Sequence, residues 1–268
     1  MGKIRSQLAA LVLAGTTMIA TPTLLGCKPA NGVTNGADPE RVSRNEYDLA
    51  QDEWKHGRLR SAMDHAMKAA DADEYHAEAQ HFVAILYLAL CQIEGDCRLD
   101  EAEKYARRAI AADPEFRPAK HTLGMILVSE KKYDEAIAVL SPLAEDIIYK
   151  TPELAWYDLG GAYLGKGDYD HAIDSLAKAV ALKPSFCWAN YRLGLAYEKK
   201  GVLAMAEQEL TKAVEPSDPA CRNLQDAYEA RGRVFSRMGR KDLARQDFET
   251  CVKLSPATDA GKQCKSMM

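Results

Sequence analysis

Apolar and small residues recur along this chain with a helical period, and the arrangement itself recurs at intervals of about one helical hairpin. The clearest stretch reads Trp156-x2-Leu159-Gly160-x2-Tyr163, followed by Gly167, Ala172, Leu176, Ala179 and Pro184. Apolar positions three and four apart line one face of a helix. A glycine between two such runs marks a turn, and a proline after the second run ends it. Each unit therefore predicts two antiparallel helices. The next unit carries Leu193-Gly194, Tyr197, Gly201, Ala206, Leu210 and Ala213. The last carries Tyr228, Gly232, Phe235, Gly239, Ala244, Phe248 and Pro256, and an earlier one Leu123-Gly124, Leu127, Ala136 and Leu140. The alanines of the second helices fall at 136, 172, 206 and 244, which are 36, 34 and 38 residues apart.

Two weaker units precede these. Ser43 to about Tyr75 has Tyr47, Leu49, Trp54, Gly57, Ala62, Ala66 and Ala69, and about His76 to Phe116 has Phe82, Val83, Tyr87, Ala102, Ala106, Ala109 and Pro114. In the second, 15 residues separate Tyr87 from Ala102, where Tyr163 to Ala172 takes nine. The excess is centred on 91–97 and predicts a long inter-helix loop. The pattern resembles the tetratricopeptide repeat almost position for position. It implies an all-α fold, a right-handed superhelix of about six helix-turn-helix repeats over residues 43–258. The small residues at positions eight and twenty sit where the paired helices approach most closely. The large ones at four, eleven and twenty-four are expected to fill the gaps between neighbouring pairs. Gly167, Gly201 and Gly239 are placed at turns that need a positive φ. One pair cannot bury its apolar face alone, so stacking is obligatory.

In such a stack the first helices line a concave face, with positions two, five, nine and twelve outward. These are Tyr47 and Trp54 in the first unit, His81, Ile85 and Leu88 in the second, and His121, Met125 and Val128 in the third. The fourth gives Leu154, Tyr157 and Leu164, and the fifth Trp188, Tyr191 and Leu195. The sixth is charged, with Asp226, Glu229 and Arg233. The face is thus read as an apolar and aromatic groove through five units, suited to an amphipathic helix or an extended peptide.

The start of the chain has a different pattern. Lys3 and Arg5 precede an apolar run from Leu8 to Ala20, broken by Thr16, Thr17, Thr21 and Pro22. A basic start, a short apolar stretch and small residues before a cut describe a secretory signal over 1–26 rather than a spanning helix. Leu24-Leu25-Gly26-Cys27 resembles the bacterial lipobox. That resemblance implies a diacylglycerol thioether on Cys27, cleavage before it, and stable anchoring through several acyl chains. Lys28 in place of an aspartate favours the outer membrane. Residues 27–42, with Pro29, Gly32, Gly36 and Pro39, read as the lipidated cysteine and a flexible tether. Residues 259–268 read as a polar C-terminal tail.

Composition narrows the chemistry. The net charge of −4 falls to about −6 once Lys3 and Arg5 leave with the signal, and no basic stripe supports nucleic-acid binding. Of seven cysteines, six remain beside Cys27: Cys91, Cys97, Cys187, Cys221, Cys251 and Cys264. An even number in an exported chain suggests disulfides. Cys91 and Cys97 bracket the long loop. Cys187 and Cys221 stand one repeat length apart at the entries of successive units. Cys251 and Cys264 would then pin the tail. The alternative is buried, reduced thiols. The six histidines are scattered, and neither HExxH nor CxxC occurs, so metal and cofactor sites lack support. Gly165-Lys166-Gly167-Asp168 lacks the spacing of a phosphate loop, and no serine lies in a GxSxG elbow. The chain is read as a binding protein, not an enzyme, with no small-molecule substrate.

A lipobox followed by about six such repeats resembles the PilF/PilW/Tgl family of outer-membrane lipoproteins, the pilotins of type IV pilus systems. The pair Cys187 and Cys221, one repeat apart, also resembles that family. The resemblance implies a lipid-anchored scaffold on the periplasmic side of the outer membrane. Its groove would bind the secretin subunit and promote multimer assembly, on which pilus extension and pilus-dependent motility rely. A β-barrel assembly lipoprotein and an adaptor for peptidoglycan enzymes are the alternatives.

Overall fold

The structure, a computed structural model, describes residues 38–214, 221 and 223–268. The signal, Cys27 and most of the expected tether lie outside the described residues. Two compact units form, one up to Ala119 and one from Lys120 onward. Among the described residues there are thirteen helices and no strand.

The first unit contains α1 (Pro39–Lys55), α2 (Leu59–Ala72), α3 (Ala77–Glu94) and α4 (Leu99–Ala112). Alanines make its seams: Ala50 of α1 and Ala62, Ala66 and Ala69 of α2 are fully buried. Helix α3 is buried on nearly every face from Ala79 to Leu90, as its unbroken apolar run requires. Two expectations are corrected here. Helix α1 starts at Pro39, not Ser43, with proline in its first turn and Glu40 beside it, both favourable at a helix start. The surplus residues near 91–97 do not form a loop throughout. They lengthen α3 to Glu94, and Gly95 (φ 77°) ends the helix.

The second unit takes α5 (Arg117–Ser129), α6 (Tyr133–Ala144), α7 (Pro152–Lys166), α8 (Tyr169–Leu182), α9 (Cys187–Lys200) and α10 (Leu203–Val214). It ends with α11 (Gln225–Arg237), α12 (Lys241–Leu254) and α13 (Asp259–Met267). The boundary between the units falls in the first turn of α5. Counting α5 with α6, six consecutive pairs stand where six repeats were read.

The glycine at position eight has one task throughout. A Cβ on Gly124, Gly160, Gly194 or Gly232 would lie 2.4–2.6 Å from Leu140, Leu176, Leu210 or Phe248, each sixteen residues on. The large residue at position twenty-four therefore packs on the glycine of its own pair, not only between neighbouring pairs. The turns at Gly167, Gly201 and Gly239 have φ of 86°, 84° and 77°. The third repeat makes the same turn with Lys131 at φ 63°.

The last residues are not a tail. Thr258 caps α13 by accepting the Gly261 N–H at 3.1 Å, and Gln225 Nε2 donates to the Cys251 and Ser255 carbonyls at 2.7 Å. The small Gly261 and the disulfide-bonded Cys264 are buried, so α13 closes the open face of the final pair. The structure pairs Cys91 with Cys97, Cys187 with Cys221, and Cys251 with Cys264, with Cα separations of 4.1, 5.8 and 6.3 Å.

Candidate functional site

The first helices present the residues read as a groove, and burial divides them by repeat position. Position five is buried in five successive repeats, at His81, His121, Tyr157, Tyr191 and Glu229. Tyr157 and Tyr191 are therefore corrected from groove residues to core residues. Ile85 and Leu88, on the fully packed α3, are buried as well and receive the same correction. Tyr47, Trp54, Met125, Val128, Leu154, Leu164, Trp188 and Leu195 stay half-buried and keep an open side.

The reason lies at the turn that joins each pair to the next. Every such turn ends on a residue that packs against the position-five ring. Tyr47 meets His76 at 5.1 Å between centroids, His81 meets Phe116 at 5.3 Å, His121 meets Tyr149 at 5.8 Å, and Tyr157 meets Phe186 at 4.8 Å. Tyr191 shares a core cluster with Leu224 in the same role. Edge-to-face and tilted ring pairs of this kind contribute about 0.5–1.5 kcal/mol beyond area burial. The ring ahead of α3, α5, α7 and α9 was the signal in the sequence for this packing.

Buried charge makes up the rest of the face in the second unit. His121 Nε2 lies 2.9 Å from Asp158 Oδ2, linking α5 to α7. Arg192 of α9 stands 3.6 Å from the other Asp158 oxygen, donates to the Tyr157 carbonyl at 3.3 Å, and lies 3.9 Å over the Tyr157 ring. Further along, Arg233 of α11 donates to both Glu198 oxygens, at 3.2 and 2.7 Å, and also to Glu229. Arg237 donates to the Glu198 carbonyl at 3.1 Å. Burial alone would lower the Arg233 pKa, but the hydrogen bonds to Glu198 and Glu229 outweigh it and hold the guanidinium above its usual range. Burial, with Asp226 and Glu229 adding to it, raises the Tyr191 hydroxyl well above its ordinary value. Burial likewise pushes Tyr149 up to about 12. Asp158, Arg192 and Glu198 were not foreseen as part of this face. Asp158 and Arg192 stand alone among apolar neighbours, Glu198 opens a charged run with Lys199 and Lys200, and the partner of each is a repeat away.

The half-open side chains are thus set in a frame of fixed charge. Leu154 and Leu164 lie on α7, and Trp188 and Leu195 on α9. Position nine of the fourth repeat is Gly161, against which the Arg192 guanidinium packs. Such a surface can hold an apolar segment by burial and orient it by charge. The histidines serve structural contacts, such as His76 with Ser43 at 2.7 Å and His65 with Glu46 at 2.6 Å. Among the described residues no cluster of His, Cys, Asp or Glu could hold a metal ion, and no helix is long and apolar enough to cross a membrane.

Comparison with known proteins agrees with this geometry. Models of the tetratricopeptide repeat match residues 94–146, 160–201, 189–215 and 225–258. The chain carries these repeats. Among solved structures it is similar to PilW, described as a widely conserved type IV pilus biogenesis factor, with a TM-score of 0.71 at 19% identity. That match covers 85% of this chain and 99% of PilW. It is also similar to PilF of Pseudomonas aeruginosa, with a TM-score of 0.66 at 17% identity over 86% of this chain and 99% of that one. At these identities the likeness speaks to the fold. A curated relative, protein bimA of Emericella nidulans, is 28% identical over 160 residues, which is 59% of this chain and 19% of that protein. The chain thus spans about a fifth of the length of that relative.

Proposed function

We propose that this chain is an outer-membrane lipoprotein that acts as a pilotin, a scaffold that binds the type IV pilus secretin and promotes its localisation and multimer assembly. The observation that carries the reading is the match of the helical stack to essentially all of PilW, a pilus biogenesis factor. The lipobox-like Leu24–Cys27 supports it independently. Lipid on Cys27 would hold the protein at the periplasmic face of the outer membrane. The half-open Leu154, Leu164, Trp188 and Leu195 would take an apolar segment of the secretin subunit. The framing charges Asp158, Arg192, Glu198 and Arg233 would fix its direction. Binding raises the local concentration of subunits where the ring assembles, and no bond is broken.

The test is copurification from detergent-solubilised membranes. The wild-type chain is expected to bring down the secretin, and a Trp188→Ala/Leu195→Ala variant to bring down much less at equal abundance. Capture of β-barrel assembly proteins or cell-wall hydrolases, with no secretin, would overturn the proposal.

A further inference from the structure

Residues from the ends of α2 and α4 line a cavity of about 390 Å³ in the first unit. Ala70, Ala111 and Ala112 give it small apolar surface, and α3 contributes Gln80. That glutamine is 1% exposed and only half satisfied. Its Nε2 donates to the Ala70 carbonyl at 2.8 Å. A carbonyl can only accept, so the nitrogen must face it and Oε1 is left for another partner. Among the described residues nothing donates to Gln80 Oε1. A buried acceptor without a donor is costly, so the site calls for a donor brought in through the cavity.

Charge says what kind of donor. Asp71 and Glu74, both exposed, place two carboxylates on the wall. Helices α2 and α4 both end there, and neither has a basic residue in its last turn, so their negative poles are uncompensated. Asp73 and Asp113, at the caps of the same two helices, add charge of the same sign. Arg108 is the one base on the wall, and its guanidinium lies 5.1 Å over the Tyr105 ring. Of the bases nearby in sequence, Lys104 and Arg107 are paired with Glu101 and Glu103, and Lys68 is not on the wall. The balance favours a cation. Among the described residues no cluster of His, Cys, Asp or Glu could hold a metal ion, so the cation the wall suits is organic.

We propose that this cavity binds a primary ammonium carried on an alkyl stem, the chemistry shared by a lysine side chain of a protein partner and a free aliphatic diamine. The three donors of an ammonium match Gln80 Oε1 and the Asp71 and Glu74 carboxylates. The stem lies along the alanines, as the methylenes of a lysine lie on apolar surface. Tyr75, on the wall and 75% exposed, supplies a ring face for the cation. Asp73 fixes the turn that carries this ring by accepting the Tyr75 N–H at 2.9 Å. Exposed Tyr75 and Arg108 side chains are free to swing as the ligand enters. The inference stands apart from the proposed function, since every wall residue belongs to the first unit and Leu154, Leu164, Trp188 and Leu195 belong to the second.

The test is a nuclear magnetic resonance titration of the full lipidated chain, nitrogen-labelled and held in detergent micelles. Cadaverine and Nα-acetyl-lysine amide are added separately, and the side-chain amide of Gln80 and the backbone amide of Tyr75 report the site. Saturable shifts of both signals are expected, and pentanediol, which lacks the charge, should give none. Asp71→Asn/Glu74→Gln, at exposed positions, should weaken binding about tenfold or more with circular dichroism unchanged. Tighter binding of cadaverine would support the site and identify a free diamine as its ligand. Tighter binding of the lysine amide would support it and identify a partner's lysine. Shifts that never saturate, that pentanediol reproduces, or that survive Asp71→Asn/Glu74→Gln would overturn the site and leave the secretin reading untouched.

Discussion

Gly160→Ala sets two effects of similar size against each other. In a solvent-facing helix the change would stabilise by about 0.8–1.0 kcal/mol through helix propensity. Here the new methyl would stand 2.5 Å from Leu176 Cγ, 2.9 Å from its Cδ2 and 3.2 Å from its backbone nitrogen. Carbon atoms settle at about 3.5–4.0 Å, so the side chain would have to retreat by roughly 1 Å. Leu176 is fully buried and has no solvent to move into. Overpacking of this kind costs about 1–3 kcal/mol, and the net expectation is a loss of up to about 2 kcal/mol once propensity is offset. Leu176→Ala alone should cost about 2–5 kcal/mol by leaving a cavity. In the double variant the methyl introduced by Gly160→Ala enters that space, so the losses should fall short of their sum by about 1 kcal/mol or more. Urea denaturation followed by circular dichroism measures all three variants. A higher midpoint for Gly160→Ala, or losses that add within about 0.5 kcal/mol, would refute the packing argument.

Other expectations follow from the same geometry. Trp188→Ala should weaken partner binding with little effect on the melting temperature, whereas Tyr191→Ala, cut from the core, should lower stability by about 3 kcal/mol in the same melts. Lys131→Gly relieves a left-handed backbone and should raise stability by about 1 kcal/mol, read from the urea midpoint. Arg233→Met leaves Glu198 and Glu229 without their shared guanidinium and should cost about 3 kcal/mol, with partial recovery in Arg233→Met/Glu198→Gln. Replacing Cys187 and Cys221 by serine opens a closure of 34 residues, worth about 3.8 kcal/mol by chain entropy, and should lower the melting temperature under oxidising conditions but not under reducing ones.

The helix pairs were legible because the small-to-large pairing of positions eight and twenty-four leaves a fixed trace, visible from Gly124 to Phe248. Where the later repeats carry a glycine at the turn, the third carries Lys131, whose left-handed backbone lets the Lys132 N–H return to the Leu127 carbonyl at 2.8 Å. Sequence period alone placed position five on the outside, since a period states which residues share a face but not what covers them. Tyr157 and Tyr191 are covered by residues from the following turn, across a distance that no local pattern measures. The ion pairs were hidden for a related reason: Asp158, Arg192 and Glu198 each resemble ordinary surface charges until the repeats stack. Helix α13 was missed because its few apolar residues become meaningful only against Cys251 and Phe248.

The central claim is that this protein assembles a secretin, and the heat-resistant secretin multimer is its most direct readout. Membrane fractions from a strain lacking the gene, blotted for the secretin, should show monomer in place of multimer, with multimer restored by the wild-type chain. Normal multimers in the deletion strain would contradict the account.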